Sequence, residues 1–167
     1  MPDTTFPSAI LLRDSLALKH EIADCYTQLA EQLDNFNNPD AAACFLKLAE
    51  QQQQQIHRLG VLASAQHPGS DQALPTRVDQ ESPADDINAN SHYLMTPYHA
   101  VELALEIERT TQQTLLARLN IAESDPQSQP QQQEHAQQIQ FLQQLLSSYP
   151  KPSEHWDEDL DPPFLDD

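Results

Sequence analysis

Apolar residues recur at helical spacing in four long segments, roughly 8–36, 39–65, 97–122 and 131–149, and this period constrains the fold more than any other feature. Aromatic residues are 6% of the chain against 38% apolar residues in all, so Leu, Ile and Ala must supply the core. Leu and Ala are strong helix formers, and residues that favour strands are scarce. An all-α fold follows. With 2 Gly against 13 Pro, the turns fall to Pro, Asn and Asp, and Ser8 and Pro97 mark helix starts.

The linkers NFNNPD and AESDPQSQP are short, and short connections make antiparallel neighbours, so each predicts a helical hairpin. Between the hairpins, a crossover at about 66–96 is rich in Pro, Asp and Ser and shows no period. A helix of about 25 residues spans about 38 Å, and a connection returning along it needs this length. The expected architecture is a single four-helix bundle over residues 1–150, two antiparallel hairpins joined by a long crossover, with an acidic, Pro-broken tail at 151–167.

A formal charge of −18, from 26 acidic and 8 basic residues, repels phosphate backbones and anionic lipid, so nucleic acid and membrane surfaces are not expected partners. The acidic field suits a basic protein or a cationic ligand, or serves solubility alone. Cys25 and Cys44 lie in apolar helical stretches without zinc-ligand spacing and read as small core residues of a reduced protein. The apolar run at 9–12 is too short for a signal-peptide core or a membrane span, so no membrane insertion and a cytoplasmic location are expected. The chain carries no nucleophile triad, phosphate loop or dinucleotide fingerprint.

Residues seven apart share a helical stripe, so a polar residue flanked at both distances by apolar ones faces the core. By this test Lys19, between Leu12 and Tyr26, points inward, while Asp14, Glu21 and Gln28 make a solvent stripe. In the run Gln51 to Gln55, Gln52 lies between Phe45 and Leu59, and Gln55 between Leu48 and Leu62; both point inward, whereas Gln51, Gln53 and Gln54 belong to the flank or surface. The third segment turns Glu108 and Gln112 inward, and the fourth turns His135 and Gln138 inward, three apart. Glu50 and His57 share a flank stripe, and Glu102 and Glu106 read as a solvated face beside Glu108. His20, His67, His92 and His155 read as surface residues. A shift of one position in register would instead turn Glu21 and Glu50 inward.

The stretches HEIADCYTQLAEQ, FLKLAEQQQQQIHRL and LMTPYHAVELALEIER, with the QQIxxL pattern shared at 54–59 and 137–142, carry a resemblance to the rubrerythrin branch of the ferritin-like di-iron carboxylate proteins. In that family the first and third helices each supply a Glu, and the second and fourth each supply a Glu-x-x-His pair. The resemblance implies ligand positions at Lys19, Gln52, Gln55, Glu108, His135 and Gln138, of which only Glu108 keeps its ligand type. Neutral amides are poor partners for a di-iron centre, and an ammonium repels it. The expectation is a degenerate site without metal, in which a Lys19–Glu108 ion pair is bridged by Gln52, Gln55, Gln112, Gln138 and His135.

The leading functional expectation is a non-catalytic binding or assembly module, a homodimer acting through its surface or its acidic tail. In the tail, Trp156, Leu160, Phe164 and Leu165 stand among acidic residues and either dock into a partner protein with a basic or apolar groove or pack on the chain's own bundle. The alternative is a metal-dependent oxidoreductase or iron-handling protein that holds iron or manganese through Glu108 and His135 with Glu21 or Glu50. A third reading is a small-molecule carrier with a polar cavity among the helices. Clustered cysteines of a rubredoxin-like electron-transfer unit are missing from the sequence, which speaks against rubrerythrin-type peroxidase chemistry.

Overall fold

The structure is a computed structural model that describes residues 7–66 and 82–158. These residues form five helices and no strand: α1 (Pro7–Asn35), α2 (Pro39–Gln66), α3 (Pro83–Ala89), α4 (Pro97–Arg118) and α5 (Gln129–Ser147). The four segments with helical period are thus α1, α2, α4 and α5, as expected, although α4 ends at Arg118 rather than near 122, and α5 runs from 129 to 147 rather than from 131 to 149.

Asparagine ends two of these helices. Asn37 and Asn120 adopt left-handed φ angles of 62° and 54°. After α1, Asn38 N–H donates to Leu33 O at 2.8 Å and Asn37 N–H to Asp34 O at 3.0 Å; after α4, Ile121 N–H donates to Leu116 O at 2.9 Å and Asn120 N–H to Ala117 O at 3.2 Å. This double reversal satisfies the last carbonyls of a helix and normally calls on Gly at the left-handed position; Asn tolerates it in a chain with little glycine. Asn38 then caps α2. Its Oδ1 accepts from Ala41 N–H at 3.3 Å, and its Nδ2 donates to Tyr93 O at 2.9 Å and Met95 O at 2.7 Å, which ties the α1–α2 turn to the approach of α4.

The crossover contains a helix that its lack of period did not announce. Ser82 caps α3 by accepting from Ala84 N–H at 3.3 Å, Pro83 takes the first turn, and Asp85 and Asp86 favour the positive end of the helix dipole. Seven residues are two turns, too few for a stripe to repeat, and one fully buried side chain, Ile87, anchors the element. Residues 67–81, with His67, lie outside the described part of the chain.

α1 packs chiefly along α2, α4 packs on α5, and α2 also meets α4 and α5. The main apolar cluster joins Ile22, Tyr26, Phe45, Leu48, Ile87, Val101 and Leu142, with the Tyr26 and Phe45 rings 5.5 Å apart. Each fully buried large apolar side chain contributes about 1.5–3 kcal/mol relative to exposure. A second, smaller cluster holds Leu11, Leu18 and Leu115, with Leu116, Leu119 and Ile121 against it. Polar side chains lie between the two clusters along α1 and α4. Among the described residues no helix is long and apolar enough to cross a membrane.

Candidate functional site

Four helices send polar side chains into one layer. Lys19 on α1, 9% exposed, donates from Nζ to Gln55 Oε1 at 2.7 Å and to Glu108 Oε2 at 3.3 Å. Gln52, one helical turn before Gln55 on α2, donates from Nε2 to the other carboxylate oxygen, Glu108 Oε1, at 2.6 Å. His135 on α5 brings Nδ1 to 3.7 Å from Glu108 Oε2, beyond hydrogen-bond reach. Lys19, Gln52, Gln55 and Glu108 are buried, as the stripes predict, while Gln53 and Gln54 are exposed and Gln51 is half-buried. Gln138 is buried too, but it bonds neither charge of the pair.

Burial alone pushes the Glu108 carboxyl upward; the Lys19 charge, the Gln52 amide and His135 together hold it below its usual value. The same burial, aided by Lys19 and opposed by Glu108, lowers His135 from 6.5 to about 4, so its imidazole is neutral at pH 7. The Tyr26 phenol is raised well above 10 by burial first and by the Glu108 charge second. Tyr26 Oη and Gln52 Oε1 are buried and meet no hydrogen-bond partner.

One turn further along these helices lies a second tier. Gln112 and Gln131 exchange amide hydrogen bonds at 3.4 and 3.3 Å, and Gln131 Nε2 also donates to Ser15 Oγ at 3.2 Å. Gln112 therefore does not bridge the Lys19–Glu108 pair as expected; α4 carries it one turn beyond Glu108, where Gln131 is its neighbour. Ser15 was not singled out from the sequence, and its position four residues before Lys19 is the signal that would have found it.

Asp14 corrects the expected solvent stripe. It is buried at 5% exposure, accepts from Arg118 Nη2 at 2.5 Å and from Arg13 Nε at 3.3 Å, and so lies beneath two guanidinium groups. Gln28 of that stripe is exposed, and Glu21 is half-buried with Oε2 accepting from Ser82 Oγ at 3.2 Å. The stripe describes one helix in isolation, whereas Arg118 comes from the end of α4.

The resemblance implies a di-iron centre, and the donors around Glu108 do not fit one. Lys19 offers an ammonium without a lone pair, Gln52 turns its N–H rather than its oxygen to the carboxylate, and Gln55 Oε1 is engaged by Lys19. The alternative ligand set of Glu108, His135, Glu21 and Glu50 is not assembled either: Glu50 is exposed, and Glu21 is engaged by Ser82. Among the described residues no three His, Cys, Asp or Glu side chains are placed to hold a metal ion. His57, Glu102 and Glu106 are exposed.

Trp156 is half-buried and packed against the main core, stacked on His99 with ring centroids 3.7 Å apart and meeting His92 edge-on at 5.4 Å. His99 also caps α4, accepting from Thr96 N–H at 3.0 Å through Nδ1. Burial lowers the His99 pKa against the opposing charges of Glu102 and Asp157. His92, read as a surface residue, is half-buried, stacks on Tyr93 at 4.5 Å and accepts from Leu94 N–H at 3.1 Å. His20 and His155 are exposed as expected. Leu160, Phe164 and Leu165 lie outside the described residues.

Over the described residues the protein is all-helical, and its interior holds a layer of paired charges and amides. Compared with known proteins, the chain matches no family model, no curated protein and no solved structure.

Proposed function

We propose that the chain is a ferritin-like four-helix bundle of the rubrerythrin kind whose di-iron site has been replaced by a buried ion pair, and that it works as a non-catalytic binding or assembly module. The observation that carries this reading is the Lys19 ammonium 3.3 Å from Glu108, in the place where the resemblance calls for a carboxylate ligand. The bundle topology is supported by the contacts of α1 with α4: Lys19 meets Glu108 and Asp14 meets Arg118, so the two helices run in opposite directions. A pair of buried charges that cancel needs no metal to hold the helices together. With its interior engaged in self-pairing, the protein acts through its surface: a cytoplasmic homodimer that offers an acidic face or tail to a protein with a basic or apolar groove.

The approach of His135 to Glu108 is the one feature that favours a metal-dependent oxidoreductase or iron-handling protein instead. Metal analysis of protein purified without chelator separates the two readings. The ion-paired site predicts no stoichiometric iron or manganese. Near-stoichiometric metal that is lost in Glu108→Gln would overturn it.

A further inference from the structure

We propose that the cleft between α3, α4 and Trp156 is a docking site for a segment of a partner protein that carries an arginine or lysine beside a large apolar side chain; the inference rests on the reading of the chain as a module that acts through its surface. One cavity of about 840 Å³ gathers Asp86 from α3, Glu102, Leu103 and Glu106 from α4, Leu146 from α5 and Trp156 beyond it. Ligand sites of about 300–1,000 Å³ accommodate several side chains.

The cleft is apolar beneath and acidic at its edge. Leu103 is 9% exposed, and Leu146 and Trp156 are half-buried against the main core, so the three form its floor. Asp86, Glu102 and Glu106 are exposed. Glu102 and Glu106 stand one turn apart on one face of α4, a spacing at which like charges repel. The ion pairs among the described residues leave out all three carboxylates. Against them the lining sets one guanidinium, Arg109, two turns past Glu102, so the cationic part of an occupant belongs toward Trp156.

Trp156 is positioned before any ligand arrives, stacked on His99 at 3.7 Å and met edge-on by His92 at 5.4 Å. Of the aromatic rings, an indole face attracts a cation most strongly, and carboxylates bordering an apolar cleft focus a field of the same preference. An anion would face three carboxylates. A purely apolar segment would strip water from them without pairing them. A metal ion lacks ligands, since among the described residues no three His, Cys, Asp or Glu side chains are placed to hold one. A cation beside an apolar side chain uses both parts of the cleft: the apolar group covers Leu103 and Leu146, and the cation pairs with Glu102 or Glu106 beside the indole.

Titration of the full chain with a blocked, tryptophan-free peptide of leucine and arginine, followed by Trp156 emission and by calorimetry, tests the site. Saturable binding with a change in Trp156 emission is expected, and a peptide with glutamate in place of arginine should not bind. Because a chain of charge −18 attracts any basic peptide, two double variants locate the contact. Glu102→Gln with Glu106→Gln should weaken binding about tenfold, whereas Glu31→Gln with Glu50→Gln, on α1 and α2, should leave it unchanged. The inference is overturned by no binding, by equal binding of the glutamate peptide, by an unchanged Trp156 emission, or by equal weakening in the two double variants. Near-stoichiometric metal in the purified protein would overturn the ion-paired, non-catalytic reading, whereas failure of the peptide with metal-free protein removes this inference alone.

Discussion

Lys19 on α1 and Glu108 on α4, distant in sequence, hold their charges 3.3 Å apart in the interior, and each is also bonded to a glutamine of α2. The arrangement makes the pair costly to break and cheap to replace. Lys19→Met leaves the carboxylate buried with Gln52 as its remaining hydrogen-bond donor and should cost about 3–5 kcal/mol. The double change Lys19→Met with Glu108→Leu should recover most of that loss. Urea melts of the three proteins measure it; equal losses in single and double variants would show that the charges do not depend on each other.

Acid should act on the same layer. Folding lowers His135 from 6.5 to about 4, so between these values the unfolded chain binds a proton that the folded chain refuses. Stability is therefore full above about pH 6.5 and falls as the pH drops toward 4, by about 3 kcal/mol at 1.36 kcal/mol per unit. Glu108, also lowered, adds a loss of the same sign as its unfolded value of 4.5 is passed. His135→Gln should flatten the part of the profile above the carboxylate range. An unchanged slope in that variant would assign the acid sensitivity to another group.

Arg118 covers a buried carboxylate that lacks a glutamine shell. Arg118→Met should expose the cost of holding Asp14 at 5% exposure beside Arg13 alone, about 1–3 kcal/mol. Asp14→Asn in the Arg118→Met background should return part of the loss, because a neutral amide is easier to bury. Thermal melts at moderate salt check both; no loss in Arg118→Met would mean that water reaches Asp14.

Trp156, the sole tryptophan of the chain, reports on the tail. Stacked on His99, it should contribute about 1–2 kcal/mol through partial burial and ring contact, and Trp156→Ala should melt earlier by that amount. Its fluorescence should be that of a partly shielded indole. If the ring instead serves only to dock a partner, Trp156→Ala would leave the stability of the isolated protein unchanged and its emission would be that of an indole in water.

Much of the site was legible in the residues themselves. Gln52 and Gln55 differ from Gln53 and Gln54 only in the stripe they occupy, and a period of 3.6 residues sorts buried from exposed without knowledge of any neighbour. The same periodicity marked Lys19 and Glu108 as inward, because a polar side chain flanked by apolar ones on its stripe cannot reach water when that face is packed. Helix ends were less legible: the left-handed Asn120 stops α4 before its apolar period runs out.

The sequence by itself determined the four long helices, their apolar faces and the burial of Lys19 and Glu108, since these follow from propensity and from spacing along one chain. Which buried group meets which was decided by the tertiary structure. Gln112 took Gln131 rather than the ion pair, Asp14 was drawn inward by an arginine from α4, and Trp156 settled on His99. Such partners are set by the relative height and rotation of separate helices, quantities that no stripe contains. α3 shows the same limit from the other side: two turns are too short to display a period, and Ile87 is buried because α1 and α4 offer it a surface.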